Sequence, residues 1–180
     1  MKFGWIGHSI LLFLFVGLFS TGAAAQGKAE KDKIRIGYAA RAVTHEQYVA
    51  AFYTTWLFKL ERWILQLVSK PSSDVEATRL ARGEIERFAA WSVEGRAEDQ
   101  MLLCDYTGRT RSWLSVRDAS EGGAPRTRLY FGSAVVPRAG EARLGFPFDL
   151  LLDFHKAYSV ALLRAARARL KQAGRAATSP

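Results

Sequence analysis

The side chain best suited to chemistry in this sequence is that of His155, on the apolar side of a predicted C-terminal helix. At helical spacing it shares that side with Leu151, Tyr158 and Leu162. Burial there would lower the pKa of the imidazole and keep it neutral, able to donate at one nitrogen and accept at the other. Tyr158, nearly one turn further on, could reach the same ligand. The pattern therefore fits an acid/base or ligand-binding group, or a core histidine bonded to a backbone carbonyl.

Asp105 and Cys104 are the reactive side chains of the central region. Asp105 precedes a predicted turn at 107–108, and Arg111 follows that turn, so an ion pair across a hairpin explains the carboxylate. An acid/base pair of Asp105 with His155 is the alternative, and it requires the two groups to lie within hydrogen-bonding distance. Cys104 stands in an alternating apolar run, which predicts a buried, inert thiol.

Metal ligands are scarce, because the chain has three histidines and one cysteine. One histidine, His8, lies in the apolar N-terminal segment, and another, His45, opens a predicted helix, where we expect it to be exposed. We therefore predict no metal site and no cofactor. A single cysteine also excludes an intramolecular disulfide.

Residues 1–25 have the layout of a secretory signal peptide. Lys2 precedes an apolar segment at 10–19, and the small residues at 23–25 fit a cleavage site. The apolar segment is shorter than the roughly 20 residues that a membrane span requires. We predict cleavage after residue 25 and a periplasmic or secreted protein. An uncleaved segment that anchors the chain in a membrane is the alternative.

The remaining sequence predicts an α+β fold. Residues 86–137 alternate between apolar and polar types and indicate an antiparallel meander. A short strand at 34–38, a helix at 45–68 and a second helix from Asp74 come before it, and a long helix at 148–171 follows. This order predicts an antiparallel sheet of about five strands, packed against the C-terminal helix and an N-terminal helical pair.

The domain boundaries follow from the same pattern. We predict one domain at 34–172. A flexible arm at 26–33 precedes it, and a disordered tail at 173–180 follows it.

The order of elements resembles the START-like, helix-grip fold of the SRPBCC superfamily. The C-terminal helix carries the match in residues: Phe-His-Lys at 154–156 and Leu-Leu-Arg-Ala at 162–165 resemble the terminal helix of an uncharacterised bacterial START-like family. In that fold a curved sheet wraps the long helix and leaves a hydrophobic cavity between them. A full helix-grip sheet has more strands than the five predicted here.

The resemblance implies a small hydrophobic or amphipathic ligand, such as a lipid. The residues expected to contact it are mostly aromatic or apolar: Trp56, Trp63, Trp91, Leu151, His155, Tyr158 and Leu162. We expect a binding protein without enzymatic activity. The alternative is an enzyme on the same scaffold, such as a cyclase, dehydratase or hydrolase, with His155 as acid/base and Tyr158 or Asp105 beside it.

The net charge of +9 and the isoelectric point near 10.0 favour anionic partners. The basic residues form a strand set and a C-terminal set, and a solvated surface explains both: Arg109, Arg111, Arg117, Arg126 and Arg128, then Arg164, Arg167, Arg169, Lys171 and Arg175. Export argues against nucleic acid as the partner. The remaining alternative is an envelope protein that contacts an anionic membrane surface through these residues. The sequence does not predict an oligomeric state.

Overall fold

The computed structural model describes residues 34–66, 71–135 and 148–178. The predicted signal segment and the predicted arm lie outside the described residues. The described residues form a six-stranded antiparallel sheet and four helices.

The strands and helices follow in the predicted order. The strands are β1 (Ile34–Ala39), β2 (Arg87–Phe88), β3 (Trp91–Ala97), β4 (Gln100–Asp105), β5 (Thr110–Asp118) and β6 (Thr127–Val135). The helices are α1 (His45–Tyr53), α2 (Trp56–Gln66), α3 (Asp74–Ala81) and α4 (Phe148–Thr178). The spatial order is β1-β6-β5-β4-β3-β2, so the first strand pairs with the last. The predicted α+β class with a long C-terminal helix is confirmed.

The sixth strand arises because the predicted strand at 88–94 is split in two. A tight turn at Ala89 and Ala90 separates β2 from β3, and Phe88 pairs directly with Trp91 across it. Ala89 adopts a φ of +51°, a conformation that usually selects glycine. Neither alanine carries a turn signal, and the sequence therefore predicted one strand.

Capping boxes begin α1 and α3, and the Thr-x-x-Gln and Ser-x-x-Glu spacings in the sequence predict both. Thr44 and Gln47 bond reciprocally at the start of α1, and Ser73 and Glu76 do the same for α3. Each box satisfies two backbone N–H groups that the first helical turn leaves free.

The predicted single helix at 45–68 is two helices, and this prediction was wrong. The hydroxyl of Thr54 donates to the carbonyl of Ala50 at 2.7 Å. The hydroxyl of Thr55 donates to the carbonyl of Phe52 at 2.9 Å and accepts from the N–H of Phe58 at 3.2 Å. Threonine hydroxyls compete in this way with the backbone bonds of a helix. As a result α2 need not continue the buried face of α1.

An aromatic cluster fills the space between the helices and the sheet. Its ring centroids lie between 4.7 and 6.4 Å apart, and its members are Phe52, Tyr53, Phe58, Phe88 and Phe131. Each of the five side chains is at most 4% exposed. Apolar side chains of β4, β5 and β6 belong to the same buried core, namely Met101, Leu103, Leu114 and Leu129.

Helix α4 is longer than predicted. It continues to Thr178, so residues 173–178, which we expected to be disordered, are helical. The guanidinium of Arg41 lies against Gly174 and donates to the carbonyl of Leu170 at 3.4 Å. This contact and the high helix propensity of the alanines at 173, 176 and 177 explain the extension.

The aromatic cluster yields a first prediction. Phe52→Ala removes a ring that contacts Tyr53, Phe58 and Phe131, and we expect the free energy of unfolding to fall by about 3 to 5 kcal/mol. Urea unfolding followed by circular dichroism measures the change. Tyr106→Ala is the control, because Tyr106 is 63% exposed and its removal should change stability by less than about 0.5 kcal/mol. Similar losses in both variants would contradict the assignment of the core.

Candidate functional site

Five polar side chains meet where α4 crosses β1, β6 and α2, and we call them the seam cluster. They are Arg35, Glu61, Ser133, His155 and Tyr158. Arg35 comes from β1 and Ser133 from β6. Their common orientation follows from the sheet register, since Arg35 pairs with Phe131, and Ser133 lies two residues further along the same strand.

The hydrogen bond that the described residues show for the His155 ring goes to a side chain. Its Nε2 lies 2.8 Å from the hydroxyl oxygen of Ser133. The hydroxyl of Ser159 donates to the backbone carbonyl of His155 at 2.8 Å, which supports this turn of α4. Burial lowers the pKa of His155, and the positive charge of Arg35 lowers it further. The imidazole is therefore neutral at physiological pH.

Glu61 and Tyr158 form the second half of the cluster. The hydroxyl of Tyr158 donates to Oε2 of Glu61. Burial raises the pKa of Glu61 to about 7, although the hydrogen bond from Tyr158 acts in the opposite direction. Near neutral pH the carboxyl group is populated in both its protonated and its ionised form. It can therefore donate a proton or accept one.

Arg35 supplies a cation beside these groups. It is half-buried, and its Nε is shielded from solvent without a hydrogen-bond partner. A buried donor that lacks an acceptor is unfavourable by about 1 to 3 kcal/mol. A ligand with an acceptor oxygen, such as a carboxylate or phosphate, would remove that penalty.

The sequence did not identify Arg35, Ser133 or Glu61 as site residues. Glu61 lies four residues from both Leu57 and Leu65 and therefore shares their side of the helix. This pattern could have indicated that Glu61 faces inward. Arg35 carried no such signal, because in β1 the polar side chain faces the helices and its neighbour Ile36, 55% exposed, faces outward.

The predicted ligand contacts on α4 differ in where the structure places them. His155 and Tyr158 belong to the seam cluster, and Leu162 is buried at 3% exposure next to them in the helix. Leu151 lies in α4, but its side chain is outside the described part of the structure.

Trp91 faces the core from the start of β3. It pairs with Asp105 in the β3–β4 register and packs against the aromatic cluster as a half-buried side chain. Its Nε1 is buried and has no hydrogen-bond partner. Among the described residues no hydrogen bond joins it to the seam cluster.

Trp56 and Trp63 lie at the surface of α2. They are 70% and 60% exposed, whereas Phe58 and Arg62, at 2% and 6%, face inward. The helical spacing of aromatic residues at 45–68 predicts that this side of the helix forms core, and for α2 that prediction is wrong. The break at 54–55 is the physical reason, since it frees α2 to turn a different side to the sheet. A role for either tryptophan in ligand binding remains a prediction.

Three charged side chains fix the orientation of α2. Arg62 and Lys59 both bond to Asp74 at the start of α3. Burial alone would raise the pKa of Asp74, but the hydrogen bonds from Lys59 and Arg62 outweigh it and lower the pKa. The guanidinium of Arg62 also lies 5.8 Å from the ring centroid of Phe88. These contacts hold α2 with Glu61 directed toward Tyr158.

The carboxylate of Asp105 makes its hydrogen bonds within its own turn. It accepts from the backbone N–H groups of Arg109 and Thr110 at 2.9 and 3.0 Å and from the hydroxyl of Thr107 at 2.6 Å. In the described structure it makes neither a hydrogen bond nor an ion pair with His155. Glu61, by contrast, is bonded to Tyr158, one of the candidate acid/base residues.

The other two reactive side chains are buried. Cys104 is 7% exposed, and burial raises the pKa of its thiol. His45, which we expected to be exposed, is 6% exposed, and its Nε2 lies 3.3 Å from the carbonyl of Leu114. Burial lowers the pKa of His45. The described residues contain no group of three or more potential metal ligands.

Comparison with protein-family models, with curated proteins and with solved structures found no match. Among the helices that the structure describes, none has the length and apolar character needed to cross a membrane.

Glu61 makes stability depend on pH in a defined direction. Its pKa of about 7 in the folded protein lies above the ordinary value of 4.5. The stabilisation that protonated Glu61 contributes is therefore fully present below pH 4.5 and is lost as the pH rises through 7. Between about pH 5 and about pH 8, we expect the free energy of unfolding of Glu61→Gln to rise by on the order of 2 kcal/mol relative to that of the wild type. Urea unfolding at a series of pH values measures the difference.

The comparison with the variant isolates Glu61, because the lowered pKa values of His45 and His155 act in the opposite direction and are common to both proteins. Glu98→Gln is the control, since Glu98 is exposed. A parallel pH dependence in wild type and Glu61→Gln would show that Glu61 titrates normally.

Proposed function

We propose that this protein binds a small amphipathic molecule with an acidic or polar head group in the seam between α4 and the sheet. The seam cluster carries this proposal. A cation with an unsatisfied buried donor lies near the neutral imidazole of His155, which is bonded to the Ser133 hydroxyl. On the same helix Tyr158 is bonded to Glu61, a carboxyl group that changes protonation near pH 7. A carboxylate or phosphate head group would accept from Arg35 and from Ser133.

Aromatic side chains beside the cluster suit the apolar part of such a ligand. The rings of Phe154 and Tyr158 stack at 6.0 Å with an interplanar angle of 12°. Phe154 is 47% exposed, so an aromatic surface leads from solvent to the polar groups. A ligand with one polar and one apolar end fits this arrangement better than a uniformly apolar ligand does.

The topology supports a START-like binding protein. The first strand pairs with the last, and the long C-terminal helix packs across both, with further contacts from α1 and α2. The signal-peptide pattern at 1–25 supports export to the periplasm or the medium, with membrane anchoring as the alternative.

One observation favours an enzyme as the second candidate. Glu61, with a pKa of about 7, is bonded to Tyr158, and Tyr158 lies three residues from His155 on the same helix. A carboxyl group with a pKa near the working pH is suited to general acid/base catalysis. On this alternative Glu61 takes the role that the sequence suggested for Asp105.

The membrane-contact alternative rests on the exposed cations of α4. The cations of the C-terminal set all lie at the surface: Arg164, Arg167, Arg169, Lys171 and Arg175. A solvated helix face explains them equally well, and the seam cluster is therefore the stronger basis for a function.

A fluorescent fatty acid tests the proposal. Dansyl-labelled undecanoic acid should bind the purified protein saturably, and Arg35→Gln should weaken binding at least about 10-fold, the loss expected for a charge-assisted hydrogen bond. The methyl ester of the probe should bind more weakly than the acid to the wild type and show little sensitivity to the substitution. Fluorescence titration gives both affinities.

Arg79→Gln is the matched control, since Arg79 is an exposed arginine paired with Glu84 on α3. Organic extraction of the purified protein with mass spectrometry should also recover an amphipathic molecule. If the acid does not bind, or binds Arg35→Gln as tightly as the wild type, the proposal fails. Retained binding in His155→Ala, with no turnover of any screened substrate by the wild type, would count against the enzyme.

A further inference from the structure

The face of the sheet that points away from the helices carries a second group of aromatic and basic side chains. On β1 it includes Ile36 and Tyr38, which are 55% and 38% exposed. In the register of the sheet Tyr38 is the direct partner of Arg128, and Ile36 is the direct partner of Tyr130. Because side chains alternate along each strand, these four residues share the face opposite Arg35 and Phe131.

Two guanidinium groups share the ring of Tyr38. The central carbon of Arg126 lies 5.4 Å from the ring centroid, and that of Arg128 lies 5.2 Å from it. Both distances are in the range of cation–π contacts. Arg128 also donates from Nη1 to the hydroxyl of Tyr130 at 3.4 Å. Two aromatic side chains therefore hold the two cations close together.

The cations at Tyr38 are not neutralised by acidic side chains. Arg126 and Arg128 make no ion pair within the part of the chain that the structure describes. Two other arginines of this face differ, because Arg111 bonds to both carboxylate oxygens of Glu94 at 2.9 Å and Arg117 pairs with Asp99.

The sheet register places a third arginine beside this pair. Arg117 is the direct cross-strand partner of Arg128, and Asp99 pairs with Arg117. The Nε of Arg128 is buried without a hydrogen-bond partner. An anion at this position would supply an acceptor.

We propose that Arg126 and Arg128, held around Tyr38, bind a phosphate group on the open face of the sheet. Two adjacent guanidinium groups without carboxylate partners match a group that carries between one and two negative charges at neutral pH and offers several acceptor oxygens. The phosphate could be free or part of a phospholipid head group. This site lies on the opposite face of β1 from the seam cluster and does not depend on the proposed ligand there.

Two probes test the site and distinguish free phosphate from a phospholipid head group. Isothermal titration with inorganic phosphate, at an ionic strength held constant with chloride, measures the free anion. Co-sedimentation with phosphatidylcholine vesicles, with and without phosphatidic acid, measures the head group. We expect the wild type to bind at least one probe, and Arg126→Gln and Arg128→Gln each to weaken that binding at least about 10-fold, as expected for a charged hydrogen bond.

Arg111→Gln is the matched control, because Arg111 lies on the same face but is neutralised by Glu94. It should bind phosphate like the wild type. Tyr38→Phe, which keeps the ring, should also bind normally, whereas Tyr38→Leu should lose affinity. This pair tests whether the ring positions the two cations.

Binding of free phosphate supports the site with a soluble anion, and binding only to vesicles with phosphatidic acid supports it with a lipid head group. The proposal is overturned if the wild type binds neither probe, or if Arg111→Gln loses as much affinity as Arg128→Gln. Binding of the dansyl-labelled fatty acid should be unchanged in Arg126→Gln and Arg128→Gln. This separates failure here from failure at the seam.

Discussion

The pairing of β1 with β6 is the constraint on which both candidate sites depend. It places Gly37 against Leu163 of α4, where a Cβ added to the glycine would lie 3.4 Å from the Leu163 side chain. This close approach sets which side of β1 faces α4. Arg35 consequently points into the seam, and Tyr38 points to the opposite face. A shift of the register by one residue would exchange the two faces and remove both sites.

The seam departs from the ordinary rule that cores are apolar. Arg35, Glu61 and His155 are partly or largely removed from water, and each loses hydration of its charged form. The aromatic cluster that contains Phe52 is the compensating contribution, because large buried rings dominate the stabilisation of a small domain. Local departures of this kind concentrate at functional sites. The seam is therefore a better place to look for binding than the tightly packed interior.

Local patterns in the sequence predicted most of the fold. The capping boxes, the meander and the start of α4 depend on neighbouring residues, and the structure has all of them. Long-range choices were not predictable. Alternation in β1 shows which residues share a face but not which face points to the helices, so Arg35 was not recognised as inward-facing. The orientation of α2 depends on the threonine break and on Asp74, which is distant in sequence, so neither the exposure of Trp56 nor the position of Glu61 was foreseen.

The pairing of the first strand with the last also has a consequence for folding. Strands β1 and β6 are separated by roughly ninety residues, whereas β3, β4 and β5 are joined by short loops. Closing so long a loop is entropically unfavourable until the rest of the sheet can receive the strand. The local hairpins should therefore form first and β1 should dock late. A partly folded chain would then possess its hairpins but neither binding site, so both sites would be completed in the same final step.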